Sequence, residues 1–136
     1  MKFSDFDLPG LMLIEPEIFE DHRGFFMETF REELFQTRLP SASFVQDNHS
    51  CSTENTLRGL HYQIRQPQGK LIRVVSGEIF DVAVDLRRSS AAFGRWSGVL
   101  LSAENKKTFW VPPGFAHGFY VIKGSAEVLY KCTDYY

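Results

Sequence analysis

The chain has 136 residues and a formal net charge of −2 with no basic run, so nucleic-acid binding lacks an electrostatic basis. No apolar run approaches the ~18 residues that a membrane span needs, and the N-terminal MKFSDFDLPG lacks the apolar core of a signal peptide. The expectation is a cytoplasmic protein folding as one domain over residues 1–136, with no membrane partner. Cys51 and Cys132 lie far apart with no Cys-x-x-Cys or Cys/His spacing, and are read as two unpaired thiols rather than a zinc site or a disulfide.

Leu11–Glu15 is a short apolar run closed by Pro16, with Glu17–Glu20 as a possible extension. Asp21-His22-Arg23-Gly24 is a turn signal, and Phe25–Phe30 (FFMETF) follows, with Phe26, Glu28 and Phe30 on one face if it is a strand. Arg31–Leu39 is the one persuasive helix: Glu32 and Glu33 sit in its first turn and Pro40 stops it. Ser43–Asp47 leads into a polar stretch, Asn48–Asn55, and then into a strand-like TLRGLHYQ (Thr56–Gln63). After an Ile64–Gly69 loop come strands Lys70–Ser76 and Glu78–Leu86 on either side of Gly77. In the second, Phe80, Val82, Val84 and Leu86 share one face, while Asp81, Ala83 and Asp85 share the other. Trp96–Ser102, Lys107–Val111, Phe115–Ile122 and Glu127–Thr133 complete the set. Many short strands with closely spaced turns and one helix predict an all-β antiparallel sandwich or barrel.

Three stretches are over-specified for packing alone: Thr56–Gln63, Lys70-Leu71 with Asp81 in the next strand, and VPPGFAHGFY (Val111–Tyr120) followed by Tyr130. Each histidine taken singly, His61 or His117, reads more readily as a core residue than as a catalyst. Two histidines, a lysine and a tyrosine on separate strands of one small barrel are another matter. They supply what proton abstraction requires: a base near neutral pH, a cation for an enolate, and a weak acid that returns the proton. The rival is a metal-binding barrel, since Pro112-x-Gly114-x-x-His117 matches half of a metal-binding cupin signature. The other half would need His-x-His and a nearby glutamate, and here the chain reads His61-Tyr62-Gln63 with Lys70 near the acidic position. Two imidazoles and a cation make a poor divalent-metal site, so neither a metal nor a cofactor is expected.

Six motifs then fall in register: Arg23-Gly24-Phe25-Phe26-x-Glu28, Phe44-Val45-Gln46-Asp47-Asn48-x-Ser50, Leu57–Gln63, Lys70-Leu71, Gly77-x-Ile79-x-Asp81–Arg87, and Pro113–Phe119. Together they closely resemble the dTDP-4-dehydrorhamnose 3,5-epimerase family, nucleotide-sugar epimerases of the cupin superfamily, from about Leu11 to Tyr136. The resemblance implies a metal-free cupin-type jelly roll with one or two short helices, acting as a homodimer on a dTDP-4-keto-6-deoxy sugar. It matches His61 to the base, Lys70 to the cation beside the developing oxyanion, and Tyr130 to the acid across the sugar. It matches His117, Arg58, Gln46, Asn48 and Asp81 to pocket positions, with Arg58 at the diphosphate. Arg23, Phe26 and Glu28 resemble a nucleotide-holding segment that in the family comes from the partner subunit.

Relative to the family, the chain stops early, at Asp134-Tyr135-Tyr136, before the segment that carries a carboxylate for the catalytic histidine. Asp81 is the one substitute the sequence offers. Two readings therefore stand beside the 3,5-epimerase: a related sugar-nucleotide cupin that inverts one carbon or isomerises a ketone, and a binding form without catalysis. Strict alternation also sets Arg58 and His61 on opposite strand faces, which a bulge at Gly59 would reconcile.

Overall fold

The computed structural model describes all residues, 1–136. Its strands are β1 (Lys2–Asp5), β2 (Met12–Glu15), β3 (Ile18–Asp21), β4 (Gly24–Met27), β5 (Gln46–Ser52), β6 (Leu57–His61), β7 (Lys70–Asp85), β8 (Trp96–Ser102), β9 (Thr108–Val111) and β10 (Phe115–Cys132), with one helix, α1 (Glu32–Arg38). The all-β cupin-type expectation holds, with a single short helix.

Two long antiparallel strands, β7 and β10, carry the architecture. Their first and last halves pair with each other, Lys70–Ser76 against Glu127–Cys132 and Ile79–Asp85 against Phe115–Val121. The flanking strands differ on the two halves. One half continues as β1-β2-β9-β7-β10-β5, and the other is flanked by β8 and β6. The change of neighbours falls at Gly77 and Gly124, both at positive φ (76° and 64°). A Cβ at Gly77 would lie 2.3 Å from the Ser125 carbonyl oxygen, so only glycine lets the two strands cross so closely there. What the sequence divides into four strands is therefore two, each bent at a glycine.

Between the two halves lies the main core, including Ile72, Val74, Ile79, Leu101, Phe109, Phe115, Val121 and Val128. A second cluster packs α1 on the outside of the first half, with Phe35 against Met12, Ile14, Leu71 and Trp110. Edge-to-face rings tie it together, Phe3–Phe35 at 5.2 Å and Phe44–Trp110 at 5.8 Å between centroids. Of the phenylalanines, Phe35, Phe109, Phe115 and Phe119 are buried, and Phe3, Phe6, Phe30 and Phe44 pack against the two clusters.

Several local expectations change. Lys2–Asp5 is a strand, because it pairs with β2 despite its polar residues. The polar stretch after Asp47 is also a strand as far as Ser52, since the β10 ladder satisfies its backbone and alternate side chains reach solvent. Asp47 is accordingly a strand residue, pairing with Lys131 Nζ at 2.9 Å. Phe26, on β4, is 69 % exposed. On β7 the fully buried face is the one bearing Asp81, Ala83 and Asp85, while Phe80, Val82 and Val84 are only half-buried. Both cysteines are unpaired, as expected.

Burial of Asp85 is compensated locally. Arg87 donates to it from Nε (3.0 Å) and Nη2 (2.8 Å), and the Ser90 hydroxyl donates at 2.6 Å. The same guanidinium bonds the Pro9 carbonyl and stacks on Phe115, with its carbon 4.7 Å from the ring centroid. This clamp fixes the entry of β10. Hydrogen bonding from Arg87, above all, holds the Asp85 carboxyl down at about 2. A carboxyl depressed in the folded state stabilises above its unfolded pKa and loses that contribution as pH falls through the folded value. Asp85→Asn is therefore expected to cost on the order of 2 kcal/mol at neutral pH. Urea titrations should show this variant losing less further stability than the parent between pH ~4 and ~2.

The ladder between β6 and β10 slips by one residue. His61 pairs with His117, yet Arg58 pairs with Phe119, so three steps on β6 match two on β10. Gly59, at φ 113°, sits in the slip, and a Cβ there would lie 2.7 Å from Gly118 Cα and 2.8 Å from the His117 carbonyl oxygen. The bulge that alternation demanded is present, and it removes the conflict between Arg58 and His61. Gly59→Ala should destabilise the fold by at least ~1–3 kcal/mol and re-aim both side chains. Thermal unfolding together with ligand titration checks this; unchanged melting and binding would be the contrary result.

Candidate active site

A cavity of about 430 Å³ opens beside β6, β7 and β10, lined by Gln46, Asn48, His61, Gln68, Lys70 and Tyr130 among others. A deeper lobe of about 140 Å³ shares His61, Lys70 and Tyr130 and adds Ser50, Arg58 and His117. Three residues named from separate strands thus line both lobes. The register explains why. Lys70 opens β7 opposite Cys132, Tyr130 stands opposite both Ile72 and Asn48, and His61 stands opposite His117. On β5 the period of two directs Gln46, Asn48 and Ser50 inward and leaves Asp47, His49 and Cys51 outside.

The site is layered electrostatically. Beneath it, Asp81 is fully buried and both its oxygens lie within hydrogen-bond distance of His117 Nε2, at 2.8 and 2.9 Å. Burial pushes the Asp81 carboxyl up, while His117 and Lys70 pull it down. Burial likewise brings Lys70 below the ordinary lysine range, opposed by Cys132 and Asp81. Tyr130 is pushed up, chiefly by burial, so its phenol holds its proton more tightly than a free tyrosine. Arg58 is anchored at the rim: Nε donates to Ser52 Oγ at 2.7 Å and Nη2 to the Cys51 carbonyl at 3.4 Å.

Of the residues expected here, His61, Lys70, Tyr130, Gln46, Asn48, Arg58 and His117 meet at the cavity. Asp81 does not line it. It lies behind His117 and bonds that histidine, so it neither faces a ligand directly nor substitutes as a partner for His61. Arg23, Phe26 and Glu28 are not brought to the cavity of their own chain. Arg23 and Phe26 lie on the β3–β4 hairpin, where Arg23 pairs with Asp21 at 2.6 Å; Glu28, just beyond it, pairs with Arg31 at 2.7 Å. No group of three or more His, Cys, Asp and Glu side chains assembles in the structure.

Gln68, Tyr136 and Tyr62 also line the larger lobe, though none of them is among the residues expected from the sequence. The Tyr120 hydroxyl donates to Asn55 Oδ1 at 2.6 Å. Gln68 lies in a loop with no periodic pattern, and Tyr136 is placed partly by its own amide donating to Gln46 Oε1 at 3.1 Å. Neither position carries a local signal.

Comparison with known proteins agrees with this arrangement. The profile of the dTDP-4-dehydrorhamnose 3,5-epimerase family matches residues 5–136. The chain is 56 % identical to dTDP-4-dehydrorhamnose 3,5-epimerase of Neisseria gonorrhoeae over its whole length, but spans 42 % of that relative. It is 56 % identical to the enzyme of that name from Pseudomonas aeruginosa, covering 100 % of this chain and 76 % of the other. Among solved structures, dTDP-6-deoxy-D-glucose-3,5-epimerase of Legionella pneumophila, in complex with dTDP-4-keto-L-rhamnose, superposes with a TM-score of 0.96. That alignment is 53 % identical and covers 99 % of this chain and 72 % of the other. On the profile match and these identities, the chain belongs to the dTDP-4-dehydrorhamnose 3,5-epimerase family.

Proposed function

We propose that this cavity epimerises dTDP-4-keto-6-deoxy-D-glucose at C5 and C3, giving dTDP-4-keto-L-rhamnose for dTDP-L-rhamnose biosynthesis. The observation that carries the reading is the convergence of His61, Lys70 and Tyr130 on one cavity in a chain of this family.

The chemistry follows from the ketone. A carbonyl at C4 acidifies the C–H bonds on either side, so an imidazole is a strong enough base if the developing charge is held. His61 takes the proton, and the electron pair moves onto the C4 oxygen as an enolate beside the Lys70 ammonium. The enolate then collapses as Tyr130 donates its proton to the opposite face of the same carbon, inverting it. The pair is left as imidazolium and phenolate and returns to its starting state by proton exchange with solvent. The sequence repeats at the second carbon. No electron is gained or lost overall, so no redox cofactor is called for. The raised Tyr130 suits an acid that stays protonated until the enolate forms.

Arg58 provides a cation for the diphosphate, where a guanidinium binds phosphate oxygens in pairs. The hairpin of β3 and β4 projects with Phe25 56 % and Phe26 69 % exposed. The outer face of the β8 half exposes Trp96, Leu100 and Tyr120. A second copy of the chain, covering such apolar surface, would bring Arg23, Phe26 and Glu28 to a neighbouring cavity as its nucleotide clamp. A cytoplasmic location suits a nucleotide-sugar substrate.

Incubation with dTDP-4-keto-6-deoxy-D-glucose in deuterated water tests the reaction. Deuterium should enter at C5 and C3, and His61→Ala should lower incorporation by at least ~100-fold. Label at one carbon alone would mark a single-carbon epimerase, and dTDP binding without label would mark a non-catalytic binder. A separate test is the pH profile. Because burial lowers Lys70, its cation is lost on the acid side of the ordinary lysine value of 10.5. The rate should fall along an alkaline limb below that pH, and Lys70→Arg should move the limb upward. A flat profile up to that value would remove Lys70 from the role.

A further inference from the structure

In the wall of the larger lobe, Gln68 is 6 % exposed and its Nε2 is a buried nitrogen with no hydrogen-bond partner. It is the one buried side-chain nitrogen or oxygen atom left so in the whole structure. Even the buried Asp81, Asp85 and Ser102 are partnered. An orphaned buried donor is destabilising, a penalty that packing alone gives no reason to keep.

The position of Gln68 is firmly set. The next residue, Gly69, donates its amide to Thr133 Oγ1 at 2.8 Å and accepts from the Thr133 amide at 3.0 Å. A Cβ at Gly69 would lie 2.3 Å from the Trp110 ring, so only glycine lets the backbone approach the indole this closely. The loop is therefore tied to the end of β10 and to the second core cluster. Its side chain is delivered to the same cavity as Lys70, two residues further on.

We propose that Gln68 binds the sugar of the nucleotide-sugar ligand, donating to the hydroxyl oxygen beside the keto oxygen that Lys70 holds. This rests on the reading of the cavity given above. A carboxamide carries no charge, which suits a neutral pyranose oxygen rather than the diphosphate. A hydrogen bond at that point fixes the rotation of the ring over His61 and hence the partition of proton exchange between the two carbons flanking the ketone.

The test replaces Gln68 with the apolar, similarly sized Met and separately with Glu, followed by calorimetric titration with dTDP and with dTDP-glucose. Gln68→Met should bind dTDP-glucose about tenfold more weakly and dTDP unchanged, while its melting temperature holds or rises because an unpaired donor is gone. Gln68→Glu, which keeps the shape and removes the donor, should show the same selective loss. With the keto sugar in deuterated water, the ratio of label at C3 to C5 should shift in both variants. Unaltered dTDP-glucose affinity and label ratio, or an equal loss for dTDP and dTDP-glucose, would overturn the assignment. If the parent protein binds neither probe, the nucleotide-sugar reading falls first and this inference with it.

Discussion

The site depends on one constraint, the antiparallel ladder between β7 and β10. Backbone hydrogen bonding along both halves of these strands sets Lys70 near Tyr130 and Asp81 near His117. Because the side-chain period of a strand is two, a slip of one residue would send each of these groups to the other face. The glycine crossing at Gly77 and the Asp85–Arg87 clamp guard that register from the middle and from one end. Stability and the placement of the cavity residues thus share a single structural element.

The ladder also explains how so much charge is held inside a small core. Asp81 would be costly alone, since burial disfavours a lone carboxylate strongly. It is tolerated because His117 lies against both oxygens and Lys70 stands nearby. The arrangement stiffens the floor of the cavity, and Lys70 and Tyr130 line the space above it. Their opposite displacements, lysine lowered and tyrosine raised, share one cause, the withdrawal of water from charged groups.

The apolar surface divides in the same practical way. Phe35, Phe44 and Trp110 close the outer core over α1, whereas Phe25, Phe26, Trp96 and Leu100 are left facing outward. In composition these rings are indistinguishable. Only the pairing of strands decides which are interior, and a projecting hairpin rich in phenylalanine is a surface suited to a second copy.

By itself the sequence determined the all-β class, the helix after Arg31, and most of the residues that line the cavity, because these depend on short-range signals. Turn residues, period-two alternation, Pro40 as a helix stop and six motifs in register are all local. Even the Gly59 bulge was readable, since two residues needed on one side of a strand stood at odd spacing. Tertiary pairing alone decided that Asn48–Ser52 is a strand, that Gly77 bends a strand rather than ending it, and that the acidic face of β7 is the buried one. It also decided that Asp81 supports His117 from behind and that Gln68 reaches the cavity. Each of these turns on which distant backbone satisfies a hydrogen bond or which side of a sheet is covered, and no window of neighbouring residues contains that information.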